Sequence, residues 1–171
     1  MAKVLMIIGP ERFQEIEYNN PKKVLEKNGH TVITCSTQKM CMGHMGNTVT
    51  ADVLIKEVNT DDYAAIIFVG GPGCHAYFED KTAHRIANEF FKKGKLTCAI
   101  CSAPAILANA GILKGKKTTC FPAEIEILKD KEAISTGAPV EKDGNIITAS
   151  GAPAATAFGE TISTTLNNPH Q

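Results

Sequence analysis

Cys101 is the residue whose type and setting best suit chemistry. It closes an apolar run, Ala99-Ile100-Cys101, and is followed by Ser102-Ala103-Pro104 and then by Ala105-Ile106-Leu107-Ala108. A strand that ends on a nucleophile between small residues, with a helix beginning at once, has the pattern of a nucleophile elbow. Only small neighbours let the backbone turn that sharply. The helix is expected to point free N–H groups and its positive dipole end at the sulfur, which lowers a thiol pKa and supplies thiolate near neutral pH. The same N–H groups suit an oxyanion, with the backbone of Ser102 as one donor. A second donor is available at Gly71, in Gly70-Gly71-Pro72-Gly73 after the preceding apolar run, where glycine lets backbone approach a ligand closely. From spacing alone, a small buried cysteine at a strand end fits as well.

Cys98 and Cys101 form a C-x-x-C, but not a redox pair. Three residues of strand span about 10 Å, and bridgeable cysteines need Cα atoms within roughly 7 Å. Strand alternation also sends the two side chains to opposite faces, so Cys98 is assigned to the core.

The elements that must position these groups are legible as a repeating pattern. Lys3–Ile8, His30–Cys35, Ala64–Val69 and Leu96–Ile100 are short, nearly continuous runs rich in Val, Ile and Leu, as buried parallel strands are. Ala83, Ile86, Ala87, Phe90 and Phe91 make one helical stripe, with Asp80 as N-cap and Gly94 as the residue after its end. Asn20-Pro21 predicts a helix start, closed by Gly29. Ala155, Phe158, Ile162, Thr165 and Leu166 form a last stripe, with Pro153 in its first turn, and Asp143-Gly144 signals a hairpin. Strand–helix alternation with buried strands means an α/β fold with helices on both faces of a mostly parallel sheet, and a site beyond the C-terminal strand ends. We read residues 1–171 as one domain.

Composition narrows the function. The chain has 171 residues, 43% of them hydrophobic, with 18 Lys plus Arg against 18 Asp plus Glu. Balanced charge argues against nucleic acid and against a polybasic membrane-surface role. No segment reaches the ~18 apolar residues that span a bilayer, and no signal peptide is expected from Met1-Ala2-Lys3 and the strand-like run after it. The six cysteines are therefore expected in a reducing cytoplasm, as buried hydrophobes or reactive thiols.

Several segments, in order along the chain, resemble the ThiJ/PfpI superfamily, which includes the parkinsonism-associated deglycase and an intracellular peptidase. Phe13-Gln14-Glu15-Ile16-Glu17 with Pro21 is similar to its Phe-Glu-Asp-x-Glu segment, and Val69-Gly70-Gly71 to its Pro-Gly-Gly turn. Ala99-Ile100-Cys101 with Pro104 resembles its Ala-Ile-Cys-x-x-Pro elbow, and Ala110–Thr119 with Pro122 the stretch leading to its fifth strand. The resemblance implies a flavodoxin-like three-layer sandwich, a homodimer, a reactive Cys101, and a Glu17 carboxyl that hydrogen-bonds the sulfur in protonated form. A carboxyl buried beside a developing thiolate has reason to stay protonated.

Two departures bear on activity. The peptidase-like branch has His directly after the elbow cysteine, where this chain has Ser102. The deglycase-like branch has His before the proline after the fifth strand, where this chain has Phe121. A Cys-His dyad for acyl transfer thus lacks its base, and the downstream His-x-Glu of related amidotransferases has no counterpart, since the His beyond Cys101 is His170. His75, after the glycine loop, is the best substitute, although a loop histidine is more often simply solvated; His30 and His84 are placed on element surfaces without a role. Met40-Cys41-Met42-Gly43-His44-Met45 has ligands that suit a soft metal such as Cu(I). One local cluster is a weak site, and we prefer a Met-lined hairpin near the subunit contact. No metal or cofactor is expected. The function expected is a cofactor-independent enzyme on small reactive carbonyls, methylglyoxal to lactate, using Cys101, Glu17 and the N–H groups of Gly71 and Ser102, with His75 auxiliary. The alternative is a redox-responsive stress protein or chaperone that oxidises Cys101 without turnover; a cysteine peptidase is less favoured.

Overall fold

The structure is a computed structural model that describes residues 1–169. Strand β1 (Lys3–Ile7) leads through Gly9-Pro10 into a short β2 (Glu11–Phe13) and helix α1 (Glu15–Lys27). Then come β3 (Thr31–Ser36), the hairpin β4 (Met40–Gly43) and β5 (Thr48–Thr50), and β6 (Val53–Leu54). β7 (Ala65–Phe68), α2 (Lys81–Lys92), β8 (Leu96–Ile100) and α3 (Pro104–Asn109) follow. The chain continues through β9 (Lys117–Thr118), α4 (Ile125–Asp130), β10 (Ile134–Ser135), β11 (Val140–Asp143), β12 (Ile146–Ala149) and α5 (Ala155–Asn167).

The main sheet has seven strands in the order β11-β12-β8-β7-β1-β3-β6. The apolar runs read as buried strands are β1, β3, β7 and β8, and they pair in parallel, Val4 with Ala65 and Ala65 with Leu96. β11 alone among these strands runs antiparallel, folded back on β12 through Asp143-Gly144, where Gly144 has φ +59°. Alternation along each strand divides the core in two. Leu5 and Ile7 pack with Ile86 and Phe90 of α2 and Leu107 of α3. Val4, Met6 and Ile8 pack on the other face with Leu25 of α1 and Phe158 and Ile162 of α5. Helices cover both faces, which is why the central strands carry no polar alternation. This is the expected flavodoxin-like three-layer arrangement. Among the described residues, no helix is long and apolar enough to cross a membrane.

Asp80 caps α2, its Oδ2 accepting from the Ala83 N–H at 2.8 Å, and Gly94 follows the helix at φ +73°. α1 departs from expectation. It begins at Glu15, with Gln14 as N-cap accepting from Ile16 N–H at 2.7 Å, and Pro21 lies inside it. Pro21 removes one helical hydrogen bond, but its ring side packs on α5: a Cβ added at Gly159 would stand 2.8 Å from Pro21 Cα. Tertiary packing holds the helix through the proline, and the earlier start puts Glu17 in the first turn. His30 also departs from expectation: it is buried, and its Nδ1 accepts the Ala2 N–H at 3.0 Å.

Candidate active site

Cys101 occupies the turn after β8 with φ +65°, the left-handed region. For a residue with a Cβ this costs about 1–2 kcal/mol, so the surroundings must impose it. They do so on both sides of the residue. The Cys101 N–H donates to Ala149 O at 2.8 Å, and Phe121 N–H donates to Cys101 O at 2.7 Å. The elbow predicted from small neighbours is therefore present, with α3 starting at Pro104.

Gly70 and Gly71 follow β7 beside the elbow. A Cβ on Gly70 would lie 2.7 Å from both Cys101 Cβ and Ile100 O, and would also strike the Glu17 carboxyl. Glycine is required there by close approach. Gly71 has φ +99°, and a Cβ on it would meet Arg12 O at 2.7 Å. The Gln14 N–H donates to Gly70 O at 3.0 Å, which ties the start of α1 to this loop and brings Glu17 over it. The N–H groups of Gly71 and Ser102 are not taken up by turn or loop bonds, and both residues border the cavity above the sulfur.

Glu17 is 1% exposed. Burial raises its carboxyl from 4.5 to about 7, against hydrogen bonds from the Cys101 thiol and the Gly70 N–H that favour the charged form. The thiol corrects the sequence expectation: burial first, then the charge of Glu17, push Cys101 up to about 12, and the Ser102 N–H and hydroxyl only partly offset this. The reason is local. α3 is six residues long and begins beyond Ser102 and Ala103, so its dipole is weak at the sulfur, while an acidic group lies in contact with it. The result is a thiol–carboxyl pair rather than a standing thiolate.

A cavity of about 790 Å³ opens over this pair. His75 reaches its wall from a 3-10 turn over Pro72–Tyr77, stacked on Phe78 with ring centres 4.3 Å apart. Its Nε2 lies 3.7 Å from Glu124 Oε1. Glu124 was not anticipated. It is 4% exposed, and its Oε2 accepts from Ser102 Oγ at 3.1 Å. An acid soon after Phe121-Pro122 reads as an ordinary solvated charge at a helix start, and only its distant partner Ser102 reveals otherwise. Thr119, 1% exposed, lines the same cavity, and its Oγ1 has no hydrogen-bond partner. Phe121 lines it as well, half open to solvent.

Cys98 is fully buried, and both it and Cys101 are free thiols. Met40–Gly43 forms a hairpin strand, with Met40, Met42 and Met45 exposed and Cys41 buried. Among the described residues, no group of three or more His, Cys, Asp or Glu could hold a metal ion. His170 lies outside the described residues.

Residues 2–165 match the DJ-1/PfpI family. The chain belongs to that family. An uncharacterized protein of Methanocaldococcus jannaschii is 46% identical over 162 residues, which cover 92% of this chain and 79% of that protein. A deglycase of Pyrococcus abyssi is 30% identical over 142 residues, covering 82% of this chain and 86% of the relative. The crystal structure of a ThiJ/PfpI domain protein from Brachyspira murdochii superposes with a TM-score of 0.95 at 30% identity, over 97% of this chain and 96% of that one. The DJ-1/PfpI match spans the elbow, the glycine loop and Glu17 together.

Proposed function

We propose that this DJ-1/PfpI protein is a cysteine-dependent, cofactor-independent enzyme that acts on small reactive carbonyls, methylglyoxal among them. The observation that carries the reading is the Cys101–Glu17 pair, set under two N–H groups and open to a cavity. The deglycase name of the Pyrococcus abyssi relative supports the same class of chemistry.

The steps use groups already in place. Cys101 Sγ attacks the aldehyde carbon while its proton passes to the Glu17 carboxylate. A thiol held up near 12 is a poor nucleophile alone, so this transfer must accompany attack. The N–H groups of Gly71 and Ser102 receive the oxyanion, which takes the proton back from Glu17 to give a hemithioacetal and leaves Glu17 as carboxylate. Glu17 then removes the proton from the sulfur-bearing carbon and returns one to the adjacent carbon. Water hydrolyses the resulting thioester, giving lactate and the free thiol. A carboxyl near 7 serves as both base and acid at neutral pH, which suits it to this relay.

The family histidine is replaced by Phe121, and this favours one competing reading, a redox-responsive protein in which Cys101 is oxidised to sulfinic acid beside Glu17. That reading calls for an accessible, low-pKa thiolate, which the buried acid beside Cys101 opposes.

The test is lactate formation from methylglyoxal by reduced, metal-free protein. Wild-type turnover is expected, with none in Cys101→Ala and about 10²-fold or greater loss in Glu17→Gln. Equal activity in wild type and Cys101→Ala would overturn the reading. Turnover preserved in Glu17→Gln would remove Glu17 from it.

A further inference from the structure

The proposed relay places negative charge on two oxygens in turn. When Glu17 removes the proton from the sulfur-bearing carbon, that C–H electron pair becomes a double bond to the neighbouring carbon, and the carbonyl pair of that carbon moves onto its own oxygen. The enediolate then collapses. Glu17 returns the proton to the second carbon, the hydroxyl proton of the first carbon passes to the second oxygen, and the thioester carbonyl forms. The N–H groups of Gly71 and Ser102 are occupied by the first oxygen, so the second needs a donor of its own. Phe121 has none to give, the Thr119 hydroxyl is buried, and His75 stands against Glu124.

Gln14 has the required place. It lines the cavity together with Glu17, Gly71 and Cys101. It precedes Glu17 by three residues, the spacing that puts two side chains on one side of a helical turn. Its N–H donates to Gly70 O at 3.0 Å, and a Cβ on Gly71 would strike its backbone nitrogen. The side chain is already held, with Oε1 accepting the Ile16 N–H at 2.7 Å. That bond assigns the amide, since a backbone N–H needs the oxygen, and it leaves the NH2 as a donor with no partner among the described residues. In the Phe-Glu-Asp-x-Glu segment that residues 13–17 resemble, this position is an acid, which when ionised can cap α1 but cannot donate. Here the amide can do both.

We infer that the Gln14 amide holds the second oxygen of a vicinal dicarbonyl and stabilises the enediolate formed from it. This rests on the carbonyl reading and adds a preference to it. A lone aldehyde has no second oxygen for Gln14, so it adds to Cys101 without that gain and goes no further.

Two variants separate the parts of the amide. Gln14→Glu keeps an acceptor for the Ile16 N–H and loses the donor; Gln14→Met loses both and adds no charge. Protection of reduced Cys101 from iodoacetamide, read from the mass of its peptide, is measured with butanedione and with propanal. The attacked carbon of butanedione bears no hydrogen, so its reaction stops at the thiol adduct. Butanedione is expected to protect wild type at about fivefold lower concentration than either variant, while propanal protects all three alike and reports an intact elbow. With methylglyoxal, both variants are expected to lose about 10²-fold in kcat for only a few-fold rise in KM, because charge on the second oxygen is greatest in the enediolate. Butanedione protection equal in all three proteins would overturn the role of Gln14. So would kcat retained in Gln14→Met, which would trace the loss in Gln14→Glu to charge repulsion, or kcat retained in Gln14→Glu, which would trace the loss in Gln14→Met to the helix cap. Failure of propanal to protect Cys101 in wild type would refute the carbonyl reading, and this inference would fall with it.

Discussion

Glu17 and Cys101 are best understood as one proton-sharing unit. Glu17 is raised to about 7 and must be ionised to take the thiol proton, so kcat/KM is expected to rise with pH through about 7. A pH–rate profile checks this, and the limb should disappear in Glu17→Gln. Stability carries the opposite sign. The folded state holds the Glu17 proton more tightly than the unfolded chain, so stability is full below 4.5 and declines as pH rises to about 7. The decline is of order 3 kcal/mol at most. Urea unfolding between pH 4 and pH 8 is expected to show a flatter profile for Glu17→Gln, which keeps the shape of the side chain and removes the ionisation.

At the scale of elements, the site depends on close approaches that glycine alone permits. Gly70→Ala would drive a methyl group into Cys101 and the Ile100 carbonyl, so loss of the elbow geometry, and with it of Cys101-dependent activity, is expected even where the protein still folds. Gly159→Ala tests a different contact. Its Cβ would stand 2.8 Å from Pro21 Cα, and overpacking of this kind costs about 1–3 kcal/mol. Denaturant unfolding should register that loss, and activity should follow it, because α1 carries Glu17. Glu15 links a further pair of elements. Its carboxyl accepts the Met45 N–H at 2.9 Å and the Asn47 N–H at 3.2 Å, fastening the β4–β5 hairpin to the start of α1.

For the whole molecule, that fastened hairpin presents Met40 and Met42, 64% and 53% exposed, on the outer surface. Flexible apolar side chains held outward in this way suit an interface, and the family resemblance implies a homodimer. Sedimentation at micromolar concentration is expected to show a dimer, and Met42→Lys to shift it toward monomer without unfolding the chain. A monomeric wild type would dismiss the hairpin as a subunit contact. The hairpin gives Cys41 and Val49 to one of the two cores, whereas the Met42 side chain is exposed, so thermal unfolding of Met42→Lys should differ little from wild type when measured at a concentration where both are monomeric.

Local chemistry was legible in the sequence wherever neighbours along the chain determine it. Apolar runs became the central parallel strands, Asp80 and Gly94 bound their helix, and Cys101 between small residues became the elbow, because burial patterns, caps and tight turns are set by adjacent side chains. Glu17 was singled out only through family resemblance, since an acid in a first helical turn otherwise reads as solvated. The rest needed contacts between distant segments. α1 runs through Pro21 because α5 packs against it, and His30 is buried by the N-terminal strand's approach. The thiol is raised rather than lowered because α1 lays a carboxyl against it in a dry site, where desolvation outweighs a short helix's dipole. Glu124 gains its place only when the fold brings Ser102 and His75 to it. A sequence specifies which groups exist and how each turns locally; pKa, burial and pairing are properties of the three-dimensional surroundings, and those were decided by tertiary structure alone.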